Sequence, residues 1–212
     1  VGEGFHVQAG APHAEVHALR QAGDLARGAT AYVTLEPCSH TGKTPPCANA
    51  LIEAGVAEVI CAMVDPNPQV AGQGLACLQA ASIHTAHGLL GEQAQALNRG
   101  FLSRIQRKRP FLTLKLAASL DGKTALANGD SQWITGAAAR ADVHKERAAR
   151  NAIITGSGTV LADNPQLNVR GVACLKQPVR VVLDRQLRSP ATAQIFDTSL
   201  APTWLFTTAE HD

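Results

Sequence analysis

Ala57-Glu58-Val59-Ile60-Cys61-Ala62-Met63-Val64 is a near-continuous apolar run, the pattern of a strand whose sheet is covered on both faces. Before it, Pro45-Pro46 opens a helix that runs from Cys47 to Ala54 and stops at Gly55. Ala31-Tyr32-Val33-Thr34-Leu35, ending at Glu36-Pro37, reads as another strand, and Pro12 to Ala22 as a helix stopped by Gly23. Downstream, a helix is predicted near Gly74 to Ala81 and a short strand near Ser82 to Ala86. Strands alternating with helices give an α/β fold.

The alternation lapses in the polar stretch from Asn98 to Arg109, closed by Pro110. This predicts a first domain over 1–103, a linker over 104–110 and a second domain over 111–212. The second is also α/β, with strands at Phe111–Leu116, Ala152–Thr155, Val179–Leu183 and Thr203–Thr207, and a helix from Ala137 to Arg150. The linker's basic group, Arg104, Arg107, Lys108 and Arg109, reads as a solvated junction or as an RNA or phosphate patch. Lack of interleaved aromatics favours the junction.

The chain has 212 residues, 45% of them apolar, and a net charge of +2. That is enough apolar material for a core, and no charge excess points to nucleic acid. No apolar run reaches the roughly 18 residues that cross a bilayer, and the N-terminus lacks the zones of a signal peptide. A cytoplasmic protein with neither a nucleic-acid nor a membrane partner is expected. Five cysteines without an export signal suit metal binding or burial better than disulfides. The first residue is Val1, and the strand at Thr203–Thr207 has few residues after it, so a fragment cut at both ends is expected.

The chemistry concentrates in His13-Ala14-Glu15, Pro37-Cys38 and Cys47. One imidazole and two thiolates supply three zinc ligands and leave the fourth tetrahedral position for water, the layout of a catalytic site. Both cysteines follow proline at expected helix starts, where free N–H groups favour thiolate. Residues two apart on a regular helix point about 200° from each other. Glu15 can therefore stand beside the metal without ligating it only if His13 lies at the first turn. A non-ligand Glu in H-x-E with a later P-C-x-x-C is the pattern of zinc deaminases, widened here to eight residues between Cys38 and Cys47. A structural metal clip or plain core residues is the competing reading. His17, one turn after His13, does not complete H-E-x-x-H and reads as packed or surface, while Cys61 and Cys77 read as core.

His13-Ala14-Glu15, Thr34-Leu35-Glu36-Pro37-Cys38-Ser39-His40 and Gly42-Lys43-Thr44-Pro45-Pro46-Cys47 together resemble the riboflavin-biosynthesis bifunctional deaminase/reductase family. So do Asp65-Pro66-Asn67-Pro68, Leu116-Ala117-Ala118-Ser119-Leu120-Asp121-Gly122, Ser131-Gln132-Trp133-Ile134-Thr135 and Thr159-Val160-Leu161-Ala162-Asp163-Asn164-Pro165. The resemblance implies a cytidine-deaminase-like three-layer domain followed by an incomplete dihydrofolate-reductase-like α/β domain. The first would deaminate 2,5-diamino-6-ribosylamino-4(3H)-pyrimidinone 5′-phosphate. The second would use NADPH to reduce the ribosyl group of 5-amino-6-(5-phosphoribosylamino)uracil.

By the same resemblance His13, Cys38 and Cys47 bind Zn2+, Glu15 shuttles the proton, and His6 and Lys43 contact the deaminase substrate. Ala117, Trp133, Thr159 and Asp163 would lie at NADPH, and Ser131, Arg147, Leu167 and Arg170 at the phosphorylated reductase substrate, with a homo-oligomeric assembly expected. Two arginines suit a sugar phosphate, since guanidinium binds phosphate through paired hydrogen bonds. Gly156-Ser157-Gly158 lacks the third glycine and downstream acid of a Rossmann loop and is rejected as one. Family members carry residues before Val1 and a glycine-rich cofactor segment after Asp212, and Arg185 stands where a small polar residue is expected. An impaired reductase is therefore expected. Two rivals remain at this stage: a zinc deaminase of another nucleoside or of a tRNA base, and a non-catalytic fragment that zinc holds folded.

Overall fold

The computed structural model describes residues 1–208 and divides into two compact units, Val1–Leu114 and Lys115–Asp212. The first unit holds α1 (Ala14–Ala22), β1 (Thr30–Val33), α2 (Cys47–Ala54), β2 (Glu58–Cys61), α3 (Gln73–Ala80), β3 (His84–His87), α4 (Gly91–Leu97) and α5 (Arg99–Arg107). The sheet order is β1-β2-β3, all parallel, with Tyr32 beside Ile60 and Ile60 beside Ala86. Strands that run parallel in sequential order need a crossover each, which α2 and α3 supply.

Side chains alternate across this sheet. Ala31, Val33 and Val59 pack with Leu19, Ala48, Leu51, Val56, Leu78 and Ile83, the apolar stripes of α1, α2 and α3 and their following turns. On the opposite face Tyr32 and Ile60 line a cavity of about 260 Å³ with Leu90, Ala94 and Leu97 of α4 and the residues just before it. Helices on both faces make three layers. Gly55 ends α2 in the left-handed region at φ 70°, which glycine enters without a Cβ penalty.

The second unit holds α6 (Ala137–Ala148), β4 (Ala152–Gly156), α7 (Ser157–Asp163), β5 (Val179–Leu183) and β6 (Thr203–Phe206), in the all-parallel order β4-β5-β6. Central β5 is the most buried, and Val182 joins Val160, Ala193 and Ile195 in a core cluster. Its Arg180 is fully buried and donates to the carbonyls of Gln166 (3.0 Å), Gln194 (3.5 Å), Asp197 (2.8 Å) and Ala201 (2.5 Å). One guanidinium thus closes the loops around β5, since its several donors can serve several carbonyls at once.

Three expectations differ from this fold. Phe111–Leu116 forms no strand, and Leu112, Leu114 and Leu116 stay exposed, because strand propensity needs a neighbouring ladder and no described strand pairs there. Arg99–Arg107 is helix rather than polar connection: Phe101, Leu102 and Ile105 give it a half-buried side, and Arg104 and Arg107 sit at its negative end. Arg104–Arg107 of the expected linker is therefore the last turn of α5, and Arg99 lies over the Phe111 ring at 4.9 Å. Among the described residues no helix is long and apolar enough to cross a membrane.

Candidate active site

His13 is the N-cap of α1, with extended backbone at φ −73° and ψ 168°. It stands just outside the helix, so the 200° separation of a regular helix does not apply, and Glu15 in the first turn shares its neighbourhood. Cys47 is the first residue of α2, with Pro46 as N-cap. Cys38 departs from expectation: it lies in an irregular turn after β1, not at a helix start. That turn is fixed by bonds to α2, since Ala48 N–H donates to the Cys38 carbonyl (3.1 Å) and Cys47 N–H donates to Cys38 Sγ (3.3 Å). The helix start therefore favours a thiolate on the cysteine facing it.

The three side chains converge. His13 Nδ1 lies 3.7 Å from Cys38 Sγ and 3.2 Å from Cys47 Sγ, and all three ligand atoms fall within 4.8 Å of one another. Among the described residues this is the one cluster of three or more His, Cys, Asp or Glu able to hold a metal ion. The Cys38 thiol is pulled down to about 5 by the hydrogen bond from Cys47, with further help from the Cys47 backbone N–H and from His13. Cys47 is pushed up, first because it is the donor to Cys38 and then by burial. Two thiols and a ring nitrogen held this close, with one thiol already inclined to ionise, are the donor set of a soft-to-borderline divalent cation, and binding it displaces the remaining proton.

Burial pushes the Glu15 carboxyl above the usual carboxylate range, opposed by hydrogen bonds to its own backbone and to Cys47. A carboxyl so placed, beside Cys47 but outside the candidate ligand set, is positioned to take up and give back a proton. His6 stands against His13, ring centroids 5.0 Å apart and edge to face, with Nδ1 3.1 Å from the Pro12 carbonyl. Lys43 is exposed, and its stem passes within 3.7 Å of a Cβ built on Gly10. Both are thus on the rim formed by the His6–Pro12 segment and the loop between the cysteines.

Of the positions carried over in the second unit, Arg147, Leu167 and Arg170 gather at one loop. Arg147 donates to the Asn168 carbonyl at 3.2 Å, and Arg170 donates to Gln166 Oε1 (3.0 Å) and to the Asn168 side chain. The Arg170 backbone N–H donates to His144 Nδ1 at 3.1 Å. His144 is one helical turn before Arg147 and was not singled out from sequence. Its spacing from Arg147 was the available signal. Burial lowers its pKa, followed by the charges of Arg147 and Arg170. Leu167 sits at φ 47°, a left-handed backbone that turns the loop. Thr159 and Asp163 lie four apart on α7 and both are exposed. Ala117, Ser131 and Trp133 belong to the irregular segment before α6, where Arg140 stacks over Trp133 at 4.5 Å.

An α/β unit with a His-x-Glu at a helix start facing two cysteines defines a zinc-dependent deaminase class. Residues 1–63 match the cytidine and deoxycytidylate deaminase zinc-binding region, and residues 110–212 match the RibD C-terminal domain. The chain is 54% identical over 224 residues to riboflavin biosynthesis protein RibD of Haemophilus influenzae, covering 100% of this chain and 60% of that protein. It is 54% identical over 222 residues to RibD of Escherichia coli, covering 99% and 60%. Among solved structures, Acinetobacter baumannii RibD, form 1, superposes with a TM-score of 0.89 at 50% identity over 99% of this chain and 60% of that one. A Thermotoga maritima diaminohydroxyphosphoribosylaminopyrimidine deaminase/5-amino-6-(5-phosphoribosylamino)uracil reductase does so with a TM-score of 0.88 at 42% identity over 100% and 60%. The chain is similar to riboflavin-biosynthesis deaminase/reductase proteins over nearly all of its own length, and it spans about 60% of the length of these relatives.

Proposed function

We propose that the first unit hydrolyses the exocyclic amino group of a phosphorylated aminopyrimidine, 2,5-diamino-6-ribosylamino-4(3H)-pyrimidinone 5′-phosphate, releasing ammonia. The observation that carries this is the convergence of His13, Cys38 and Cys47 beside the half-buried Glu15 carboxyl. These three residues would hold Zn2+, which when bound supplies a Lewis acid that makes water a nucleophile near neutral pH. Glu15 accepts the proton of the attacking water and returns it to the departing amine nitrogen. The second water hydrogen ends on the adjacent ring nitrogen as the C–NH2 bond breaks, so water and the ring amidine become a lactam and ammonia, and Glu15 ends as it began. Lys43 and His6, on the rim, bind the substrate, with the ammonium of Lys43 meeting its phosphate.

The second unit, by this reading, binds NADPH through Ala117, Trp133, Thr159 and Asp163 and the ribosylaminouracil phosphate through Ser131, Arg147, Leu167 and Arg170. The family's two reactions would then run in sequence, in a cytoplasmic homo-oligomer acting on small molecules. An observation that supports the substrate positions is that Arg147 of α6 and Arg170 both donate to the Gln166–Asn168 segment, which brings two guanidinium groups to one loop, and guanidinium suits a phosphate.

The deciding experiment measures ammonia release from the diaminopyrimidine ribosylamino phosphate by the zinc-loaded chain, with cytidine and Glu15→Gln as controls. Release with the phosphorylated substrate alone, lost in Glu15→Gln, is the expected result. Equal release from cytidine would make the chain a general pyrimidine deaminase instead.

A further inference from the structure

Glu36 is an acidic residue that is only 4% exposed, three residues after β1 and two before Cys38. Among the described residues its carboxylate forms no ion pair; it accepts backbone N–H groups from the connection after β2 and from the start of α3. Oε2 accepts from Asp65 (3.1 Å) and Gly72 (2.9 Å), and Oε1 accepts from Gly74 (2.9 Å) and Leu75 (3.2 Å). Each oxygen thus takes two bonds, and two of the four donors lie in the first turn of α3, where helix N–H groups lack internal partners. Glu36 N–H in turn donates to the Met63 carbonyl at 3.0 Å.

The contact is also tight. A Cβ on Gly74 would fall 1.9 Å from the Pro37 carbonyl oxygen, so only glycine lets α3 press against the Glu36-Pro37 backbone. The segment is therefore held on one side by α3 through the Glu36 carboxylate and on the other by α2 through the Cys38 carbonyl and Sγ. A ligand in an irregular turn has no helix or strand of its own to aim it, and this pair of clamps takes that role.

We infer that Glu36 is a positioning residue that aims the Cys38 thiolate at the metal site by tying its turn to the start of α3. The inference rests on the zinc reading of the site. Glu36 touches neither metal nor substrate, and it acts through Pro37 and the Cys38 backbone. Groups that orient metal ligands cost about 10–100-fold in metal affinity when removed, and that is the effect assigned here.

The test is zinc affinity of the folded full chain by chelator competition, with cobalt(II) as a spectroscopic probe of thiolate ligation. Glu36→Gln keeps shape but replaces one oxygen with an NH2 group, leaving two backbone donors facing a donor. Leu78→Ala, in the same α3 at a fully buried core position, serves as the control for plain loss of stability. Positioning predicts that Glu36→Gln weakens zinc about 10–100-fold and alters the cobalt–thiolate absorption, while Leu78→Ala melts lower but binds zinc as the unmodified chain does. Zinc affinity unchanged in Glu36→Gln, or weakened equally in Leu78→Ala, overturns the inference. If Glu36→Gln does not fold, Glu36→Asp, which keeps the charge on a shorter arm, is read by the same comparison. Failure of the unmodified chain to bind zinc removes the site reading itself, and is seen before any variant is made.

Discussion

Both units build three parallel strands in sequential order, yet they use buried polar groups in different ways. In the first unit the ligand atoms come from element ends: the N-cap of α1, the turn after β1 and the first residue of α2. Glu36, buried two residues before Cys38, is taken up by backbone amides that hold one of those ends. In the second unit the two deeply buried charges, Arg180 and Asp184, both belong to β5 or its end, and both serve the loops that wrap it. Of its eight candidate ligand contacts, Thr159, Asp163, Trp133 and Arg170 are exposed and Ala117, Ser131, Arg147 and Leu167 are half-buried. The first unit shows a reactive centre whose parts already meet, whereas the second shows a scaffold whose polar core is structural.

The largest effect that could break this contrast is chemical. Glu15→Gln is expected to lower kcat for deamination by about 10²–10⁴-fold, the usual worth of a positioned acid–base group, while bound zinc, measured by elemental analysis, stays at the unmodified level. Loss of zinc along with activity would make Glu15 a ligand and undo the His13, Cys38, Cys47 set. In the second unit, Arg180→Met strips four carbonyls of their shared donor and is expected to destabilise that unit by about 3 kcal/mol. Denaturant unfolding followed at Trp133 and Trp204, both in that unit, reads the change. A shift well under about 1 kcal/mol would mean that water replaces the guanidinium and that the β5 network is not a clamp.

Zinc removal separates the two units directly. With free zinc at 100 times its dissociation constant the metal adds about 2.7 kcal/mol to the unit that binds it. A chelator should therefore lower the unfolding transition of the first unit, observed through Tyr32, and leave that reported by the tryptophans in place. If both transitions move together, the two units do not unfold independently and the comparison drawn above fails.

The cluster of His13, Cys38 and Cys47 could be anticipated from sequence because the pattern is local: a His-x-Glu at a helix start and two proline-led cysteines stand out by residue type, and the structure brings the three side chains together. Neither Cys38's position in a turn nor the role of Glu36 could be read that way. Both depend on the approach of α2 and α3 across long stretches of chain, and a Glu before Pro-Cys looks like any surface acid until its four amide donors are seen. The strands at Ala31, Ala57, Ala152 and Val179 followed from apolar runs, although of these only β2 and β5 are largely buried. Phe111–Leu116 has the same pattern and no ladder, because pairing is a tertiary fact. Helix α5 was obscured by its charges, although Phe101, Leu102 and Ile105 recur at helical spacing.

The smallest effect concerns Asp184, the carboxylate at the end of β5. Burial works against its ionised form, but hydrogen bonds from Ser189, and then from the backbones of Arg188 and Gln186, outweigh it and bring the group down to about 2 from an ordinary 3.8. A carboxyl with a depressed native value stabilises the fold when ionised: the contribution is fully present above 3.8 and is lost as the pH falls through about 2. Asp184→Asn keeps an oxygen to accept from Ser189 N–H, 2.7 Å away, but loses the charge. Its melting temperature should lie below that of the unmodified chain at pH 5 and above, and the gap should narrow steadily on acidification and be smallest near pH 2. A gap that stays constant down to that pH would mean that shape and hydrogen bonding, not charge, hold the loop after β5. Asp184 would then stabilise the second unit through its hydrogen bonds rather than its charge, and that unit's difference from the first would be sharper still.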